Sequence, residues 1–384
     1  MRRSLLLAAT LLSGVVSTTF AHADIKVGFV TSLSGNGASI GIPYSKGIKA
    51  GQQYQSEVGG EKITVIELDD GADPSAATRN ARKLVEEDKV DILIGTATAP
   101  STIAMMAVAK ELRVPMIAIS PVKLDEGDGS NQWGVTMPQP PALMASVIAD
   151  RMVRDGEKRI GYIGFADAWG DLVYEGAKAA EEAGKIEVLT NERYTRTDTS
   201  VTGQILKVLA SKPDAVLLGG SATQGALPPL ELAKRGYKGE LYGLAALVNA
   251  DFIRVGGKAV EGVKVSTGPI IVAEQLPEEH FAKKISMEFR DAYQKANGEP
   301  TTDGFSAYSF DAWVILVDAA ERALKAEQPG TPAFREALKE EIFKGDEVAG
   351  VHGVYNFRKG NSYGVDERSL VVVKLVDGKW TYEP

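Results

Sequence analysis

The stretch that decides the predicted fold is IKVGFVTSLSGNGASIGIPYSKGIKAG, residues 25–51. It begins with an apolar, β-branched run, passes through a glycine-rich turn and continues into an amphipathic segment. A short apolar run that ends at a turn is typical of a buried strand, and glycine permits the tight turn that leads into a helix. Strand, turn and helix in this order are the repeating unit of an α/β fold.

The same alternation continues along the chain and occurs twice. Further predicted strands lie at 62–68, 90–95, 115–120, 159–165, 186–194, 214–220, 240–246 and 262–267. Amphipathic segments between them predict helices, with Pro74 and Pro100 at first-turn positions. The alternation pauses in a turn-rich segment between 120 and 142. The last hundred residues predict three helices and two strand-like ends, so we expect two α/β lobes that share this tail.

The first 23 residues have the layout of a secretory signal peptide. Arg2 and Arg3 form a positive start, residues 5–12 an apolar core, and Ala21-His22-Ala23 a cleavage site. A membrane anchor is the alternative, but serine, glycine and threonine interrupt the apolar run. We therefore expect export, with cleavage after Ala23.

Composition excludes several classes of function. The formal net charge of −8 argues against nucleic acid or an anionic membrane as a partner. The chain has no cysteine, which excludes thiol catalysis and thiolate metal sites. His280 and His352 have no second ligand at metal-binding spacing, so we expect no metal.

The glycine-rich turn raises the question of a dinucleotide cofactor. A G-x-G-x-x-G fingerprint is required, whereas Gly35, Gly37 and Gly41 are spaced one residue too widely. Asp69 and Asp70 end the next strand, but they lie farther along the chain than the roughly 20 residues of the fingerprint. We predict no cofactor and a turn that leaves a helix N-terminus open.

Catalysis is disfavoured and binding is favoured by the loops that follow strands. GGSATQG at 219–225 resembles a nucleophile elbow, but Thr223 stands where the motif requires glycine, so we expect no enzyme. Four such loops are rich in hydroxyl and small residues. In open α/β sheets ligands bind beyond the carboxyl ends of the strands. Amides and hydroxyls around Thr98 and Ala99 are suited to hold a carboxylate there.

The order of these segments resembles a known family. DIKVGFVTSLSGNGASIGIPYSKGIKAG (24–51), LDDGADPSAATRNARKLVEEDKVDILIG (68–95) and RIGYIGFADAWGDLVYEGAKAA (159–180) are similar to the branched-chain amino-acid-binding family of periplasmic solute receptors. The resemblance implies a type I periplasmic binding fold, with two doubly wound parallel-sheet lobes joined by a three-segment hinge. It further implies a periplasmic monomer that delivers its ligand to the permease subunits of an ABC importer in the inner membrane.

The resemblance also implies the lobe boundaries and, together with the loops described above and aromatic residues expected near them, the ligand-binding positions. Lobe 1 would comprise residues 24–139 and 270–350, and lobe 2 residues 140–269 and 351–384. The expected ligand-binding residues are Thr98, Ala99, Ser120, Val122, Trp169, Ser221, Ala245, Phe305 and Tyr308.

Ala99, Ser221 and Ala245 depart from the residues usual in the family, and Ala245 is the most informative of them. Ala245 stands where amino-acid receptors carry the acid that pairs with the ligand's α-ammonium. A buried ammonium without a carboxylate is unfavourable by several kcal/mol. Asp167 and Asp303 are the candidates to replace that acid. With Trp169 retained, we expect a small carboxylate such as a benzoate or cinnamate derivative. The alternatives are a branched-chain or other neutral amino acid, or a ligand sensor of the same fold.

Overall fold

The computed structural model describes residues 23–124, 127, 129–301, 303–344 and 346–383. Residues 1–22 of the predicted signal peptide therefore lie outside the described residues. The strands are β1 (Ile25–Thr31), β2 (Glu57–Val58), β3 (Glu61–Asp69), β4 (Ile92–Gly95), β5 (Met116–Ala118), β6 (Gly134–Thr136), β7 (Arg159–Phe165), β8 (Glu187–Val188), β9 (Glu192–Tyr194), β10 (Ala215–Gly219), β11 (Glu240–Leu244), β12 (Lys264–Thr267), β13 (Val348–Ala349), β14 (Val354–Tyr355), β15 (Val371–Val376) and β16 (Lys379–Glu383). The α-helices are α1 (Ala38–Tyr54), α2 (Pro74–Glu86), α3 (Ala99–Leu112), α4 (Pro141–Asp155), α5 (Ala168–Glu182), α6 (Thr202–Ala210), α7 (Ala222–Gly225), α8 (Leu227–Lys234), α9 (Ala250–Gly256), α10 (Phe281–Asn297), α11 (Gly304–Ala323) and α12 (Pro332–Ile342).

Two mainly parallel sheets organise the described chain. The first has the strand order β2-β3-β1-β4-β5-β6, and the second has β16-β15-β12-β11-β10-β7-β8, with β9 also paired to β7. Helices α1–α3 and α10–α12 pack with the first sheet as lobe 1, and α4–α9 pack with the second sheet as lobe 2. The predicted fold class, an α/β protein with two doubly wound parallel-sheet lobes, is confirmed.

The chain passes between the two sheets three times. It crosses after β6, again after β12, and finally before β15. The third crossing falls later than the sequence suggested, because residues assigned to lobe 2 from position 351 onward still contact lobe 1. Tyr355 belongs to the apolar core around β1, and Tyr363 bridges to Thr136 and donates a hydrogen bond to the Val122 carbonyl.

Two local predictions differ from the structure. The segment between 120 and 142, predicted as turns, contains the short strand β6, which is stabilised by pairing with β5. The run at 186–194, predicted as one strand, forms β8 and β9, which pair with successive parts of β7. Both features depend on a partner strand that is distant in sequence.

The glycine-rich turn packs against the loop that follows β3. A Cβ on Gly41 would lie 2.0 Å from the Ser32 carbonyl oxygen, so only glycine allows this approach. The carboxylate of Asp70 accepts a 2.6 Å hydrogen bond from the Ser32 hydroxyl, and that of Asp69 accepts one of 2.6 Å from the Ser34 hydroxyl. The glycines and acids that suggested a nucleotide loop are thus used to join two turns.

Two buried titratable residues meet next to the hinge segments. The Asp311 carboxylate accepts hydrogen bonds from the backbone N–H of Val351 (2.7 Å) and of His352 (2.9 Å) and from the Tyr355 hydroxyl (2.8 Å). Burial raises the pKa of Asp311 to about 7. Burial also lowers the pKa of His352 to about 3. Its Nε2 lies 2.9 Å from the Gly304 carbonyl oxygen, which fixes the neutral ring with Nε2 as the donor.

These two shifts predict opposing pH dependences of stability. Between about pH 4 and 7 the folded chain holds the Asp311 proton more tightly than the unfolded chain does, so this group makes stability fall as pH rises. Between about pH 3 and 6.5 the unfolded chain protonates His352 more readily, so this group makes stability rise with pH. The free energy of unfolding is measured in urea at several pH values between 4.5 and 6.5. Its slope against pH should be more positive in Asp311→Asn than in wild type, and more negative in His352→Gln. Slopes parallel to wild type in both variants would contradict the assignment.

Candidate ligand-binding site

A cavity lies where the two lobes face each other, and its space, part of which is open to solvent, is about 430 Å³. In each sheet the first strand of the lobe, β1 or β7, is flanked by two strands that follow it in the chain, so the loops after it diverge. Such switch points are the usual ligand sites of open α/β sheets. The cavity is lined by Ile40, Tyr44, Ala97, Ser120, Pro121, Pro138, Met144, Trp169, Arg196, Ser221, Ala245, Ala246, Phe305 and Tyr308.

The structure brings together most of the residues that the sequence predicted. The predicted residues that line the cavity are Ser120, Trp169, Ser221, Ala245, Phe305 and Tyr308. Thr98, Ala99 and Val122 are buried but do not line it. Thr98 is the N-cap residue of α3, and its Oγ1 has no hydrogen-bond partner among the described residues.

Arg196 lines the cavity but was not among the residues that the sequence predicted. It lies in the loop after β9, and its side chain is 13% exposed. Its Nε donates to Asp167 Oδ2 at 2.6 Å, and its Nη1 donates to Ser221 Oγ at 3.1 Å. The guanidinium carbon lies 4.2 Å from the centre of the Phe165 ring. A cation is thereby fixed at the wall of the cavity. Its position after a strand was the available signal, but no family position pointed to it.

The two acids that could have replaced the missing ammonium partner are used elsewhere. Asp167 caps α5 by accepting from the backbone N–H of Trp169 and Gly170, and it also binds Arg196. Asp303 caps α11 and accepts from the Ser306 backbone and hydroxyl, both at 2.8 Å. Among the described residues that line the cavity, none is Asp or Glu.

Aromatic rings form much of the cavity wall, and their polar atoms bond to the protein. Trp169 Nε1 donates to the Gly220 carbonyl at 3.2 Å, and the Tyr308 hydroxyl donates to Gln139 Oε1 at 2.6 Å. The Tyr44 hydroxyl donates to a backbone carbonyl at 2.5 Å. Burial raises the pKa of Tyr44 and of Tyr308, so both phenols remain neutral. These side chains offer the cavity apolar surface.

A hydrogen bond joins the lobes beside the cleft. Asn249, which is 4% exposed, caps α9 by accepting from Asp251 N–H at 2.8 Å. Its Nδ2 donates at 2.7 Å to the backbone carbonyl of Ser39 on α1 of lobe 1. Because this bond joins the two lobes, it stabilises only the closed form, in which the lobes are in contact.

Asn249→Asp should therefore weaken ligand binding through faster dissociation. Aspartate retains the cap but replaces the donor with an oxygen that faces the Ser39 carbonyl. We expect about 10-fold faster ligand dissociation in stopped flow, with little change in the melting temperature of the ligand-free protein. Ser39→Ala is the matched control, because it keeps the backbone acceptor and should behave like wild type. A wild-type dissociation rate in the Asp variant would contradict this role.

Two lobes of parallel sheet with a small cavity between their switch points define a type I periplasmic binding protein. The chain belongs to the periplasmic binding protein family, whose model matches residues 24–379, and the predicted family is confirmed. A Leu/Ile/Val-binding protein of Rhizobium johnstonii is 23% identical over 383 residues, which cover 97% of each chain.

Solved structures agree with this assignment. An extracellular ligand-binding receptor from Rhodopseudomonas palustris HaA2 is 38% identical with a TM-score of 0.90, covering 94% of this chain and 100% of that one. The fold is also that of a solute-binding protein of an ABC transporter from R. palustris, solved in complex with benzoate. That protein is 22% identical with a TM-score of 0.77, covering 94% of this chain and 95% of its own.

Two kinds of feature are absent from the described residues, a membrane-spanning helix and a metal-binding cluster. No helix there is both long and apolar enough to cross a membrane. No group of three or more histidine, aspartate or glutamate side chains in the same ranges is arranged to hold a metal ion.

Proposed function

We propose that this protein is the periplasmic receptor of an ABC importer, that it binds a small carboxylate between its lobes, and that it delivers this ligand to the membrane permease. The ligand class is an aromatic acid such as a benzoate or cinnamate derivative. The observation that carries the proposal is the cavity wall, which combines Arg196 with aromatic and aliphatic surface and holds no acidic side chain among the described residues.

The charges at the cavity favour an acid over an amino acid. Arg196 is the one cationic side chain among the described lining residues, and it offers hydrogen bonds that suit a carboxylate. An α-amino acid would also bring an ammonium into this largely apolar space. With Ala245 in place of an acid and both Asp167 and Asp303 engaged elsewhere, that ammonium would have no carboxylate partner. The cost is several kcal/mol.

The surface of the cavity favours an apolar, aromatic body. The rings of Trp169, Phe305 and Tyr308 bound the cavity, and rings pack well against rings. The benzoate complex of the R. palustris solute-binding protein supports the proposal, since that fold accommodates an aromatic acid.

An amino-acid receptor is the second candidate. It is favoured by the full-length likeness to a Leu/Ile/Val-binding protein. It requires another group to neutralise the ammonium. A sensor of the same fold would use the same cavity and differ in the membrane protein that it contacts.

A thermal-shift panel tests the proposed function. The ligand-stripped protein is heated with benzoate, 4-hydroxybenzoate, cinnamate, 4-hydroxycinnamate, aliphatic acids and the branched-chain amino acids. A ligand at 100 times its Kd adds about 2.7 kcal/mol, which raises the melting temperature by a few degrees. We expect stabilisation by aromatic acids. Stabilisation by leucine, isoleucine or valine alone would overturn the proposal in favour of the second candidate.

A further inference from the structure

We infer that Arg196 is the residue that selects the carboxylate, and that the acid group of the ligand lies against lobe 2 rather than at the N-terminus of α3 in lobe 1. This inference rests on the proposed function and deepens it, because it fixes the orientation of the ligand and the residue that determines its charge.

The guanidinium of Arg196 is already positioned for this role. Asp167 holds its Nε, the Ser221 hydroxyl holds its Nη1, and the Phe165 ring lies under its plane. Two of its five N–H groups are used in these bonds, and the other three have no hydrogen-bond partner in the part of the chain that the structure describes. A carboxylate can therefore bind without displacing Asp167. Little side-chain entropy is lost on binding, since the side chain is already ordered.

Asp167 also explains how a largely apolar cavity tolerates this cation. Its carboxylate accepts from two backbone N–H groups at the start of α5 while it pairs with Arg196 at 2.6 Å. The pair is close to neutral, so the partly buried arginine is not left as an isolated charge. The carboxylate of a ligand adds one negative charge next to N–H groups that still lack acceptors.

Lobe 1 offers less to an anion at the cavity itself. Thr98 and Ala99, at the start of α3, do not line it. The hydroxyls of Tyr44 and Tyr308 donate to protein acceptors. Ser120 remains as a lining hydroxyl on that side, and one neutral donor binds a carboxylate more weakly than a guanidinium does.

The test compares an acid with its primary amide, in the first instance benzoate and benzamide, by calorimetry on wild type and on Arg196→Gln. The amide keeps the shape and removes the charge. We expect Arg196→Gln to weaken benzoate binding about 10- to 100-fold and benzamide binding less than about 3-fold, so the preference for the acid collapses. If benzoate is not the acid identified by the panel, the tightest acid and its amide take its place.

Arg193→Gln is the matched control. Arg193 lies three residues earlier in lobe 2 and donates to the Phe165 carbonyl at 2.9 Å, but it does not line the cavity. The substitution makes the same change in charge, and the preference for the acid should remain that of wild type. Arg196→Met keeps the aliphatic stem over Phe165 and replaces the Gln variant if that variant does not fold.

The outcomes separate this inference from the proposed function. If Arg196→Gln keeps the preference for the acid while Thr98→Val or Ser120→Ala loses it, the carboxylate lies at lobe 1, and the inference is overturned while the function stands. Equal losses in Arg193→Gln and Arg196→Gln would also overturn it, since long-range charge would then be the cause. If wild type binds branched-chain amino acids and no simple acid, the proposed function fails and the inference fails with it.

Discussion

Ala245→Glu should reduce the affinity for an aromatic acid by at least about 100-fold. Ala245 lies directly after β11, lines the cavity and is 9% exposed, so a longer side chain there enters the cavity. A second carboxylate about 4 Å from that of the ligand is unfavourable by about 4 kcal/mol at an effective dielectric constant of 20. If the new glutamate instead pairs with Arg196, it removes the group that we propose to hold the ligand. Either outcome lowers the affinity.

Ala245→Gln separates charge from volume in this experiment. Glutamine has nearly the same size as glutamate, so it blocks the cavity to the same extent without the negative charge. In calorimetric titrations with benzoate at pH 7, the Glu variant should bind at least 10-fold more weakly than the Gln variant. Equal affinities would mean that volume alone is responsible, and the electrostatic account of the cavity would be wrong.

Trp169→Ala is the second change for which we expect a large effect. The indole is 4% exposed, lines the cavity and links α5 to the loop after β10 through its bond to the Gly220 carbonyl. Truncation removes a wall of the ligand site and leaves a void. We expect aromatic acids to bind about 100-fold more weakly, and the free energy of unfolding to fall by about 3 kcal/mol or more.

Trp169→Phe tests whether the ring or its N–H is responsible. Phenylalanine keeps an aromatic wall and loses the bond to Gly220, so affinity should fall by less than about 10-fold. Titration of both variants with the acids of the panel provides the measurement. Unchanged affinity of Trp169→Ala for every ligand would remove this residue from the site.

The sequence was sufficient for the fold because its signals are local. Apolar runs such as 25–30, 90–95 and 214–220 are buried on both sides of a parallel sheet, so each is readable without knowledge of its neighbours. The hydroxyl-rich loops at strand ends predicted much of the cleft, because they too can be recognised from the local sequence. Ser120 and Ser221 follow strands, and the carboxyl ends of parallel strands meet at one edge.

The remaining features of the site could not be predicted, because they depend on residues that are distant in sequence. Arg196 follows a strand of three residues, and its orientation is set by Asp167 and Ser221, which lie 29 and 25 positions away. Thr98 and Ala99 were predicted because amides and hydroxyls at a helix N-terminus after a strand suit a carboxylate, but the structure gives them no place in the cavity wall. The sequence predicted a tight turn at the first glycines, but the close approach of the Ser32 carbonyl that requires glycine at position 41 depends on the folded packing.

The central claim is that the cavity accepts a carboxylate and has no acidic partner for an α-ammonium. Calorimetric titration of the ligand-stripped protein with two matched pairs tests it most directly: 4-methylpentanoate against leucine, and 3-phenylpropanoate against phenylalanine. The members of each pair differ by the α-amino group alone. We predict that the acid without the amino group binds more tightly in both pairs, by at least about 10-fold. Tighter binding of leucine or phenylalanine than of its partner would contradict the account.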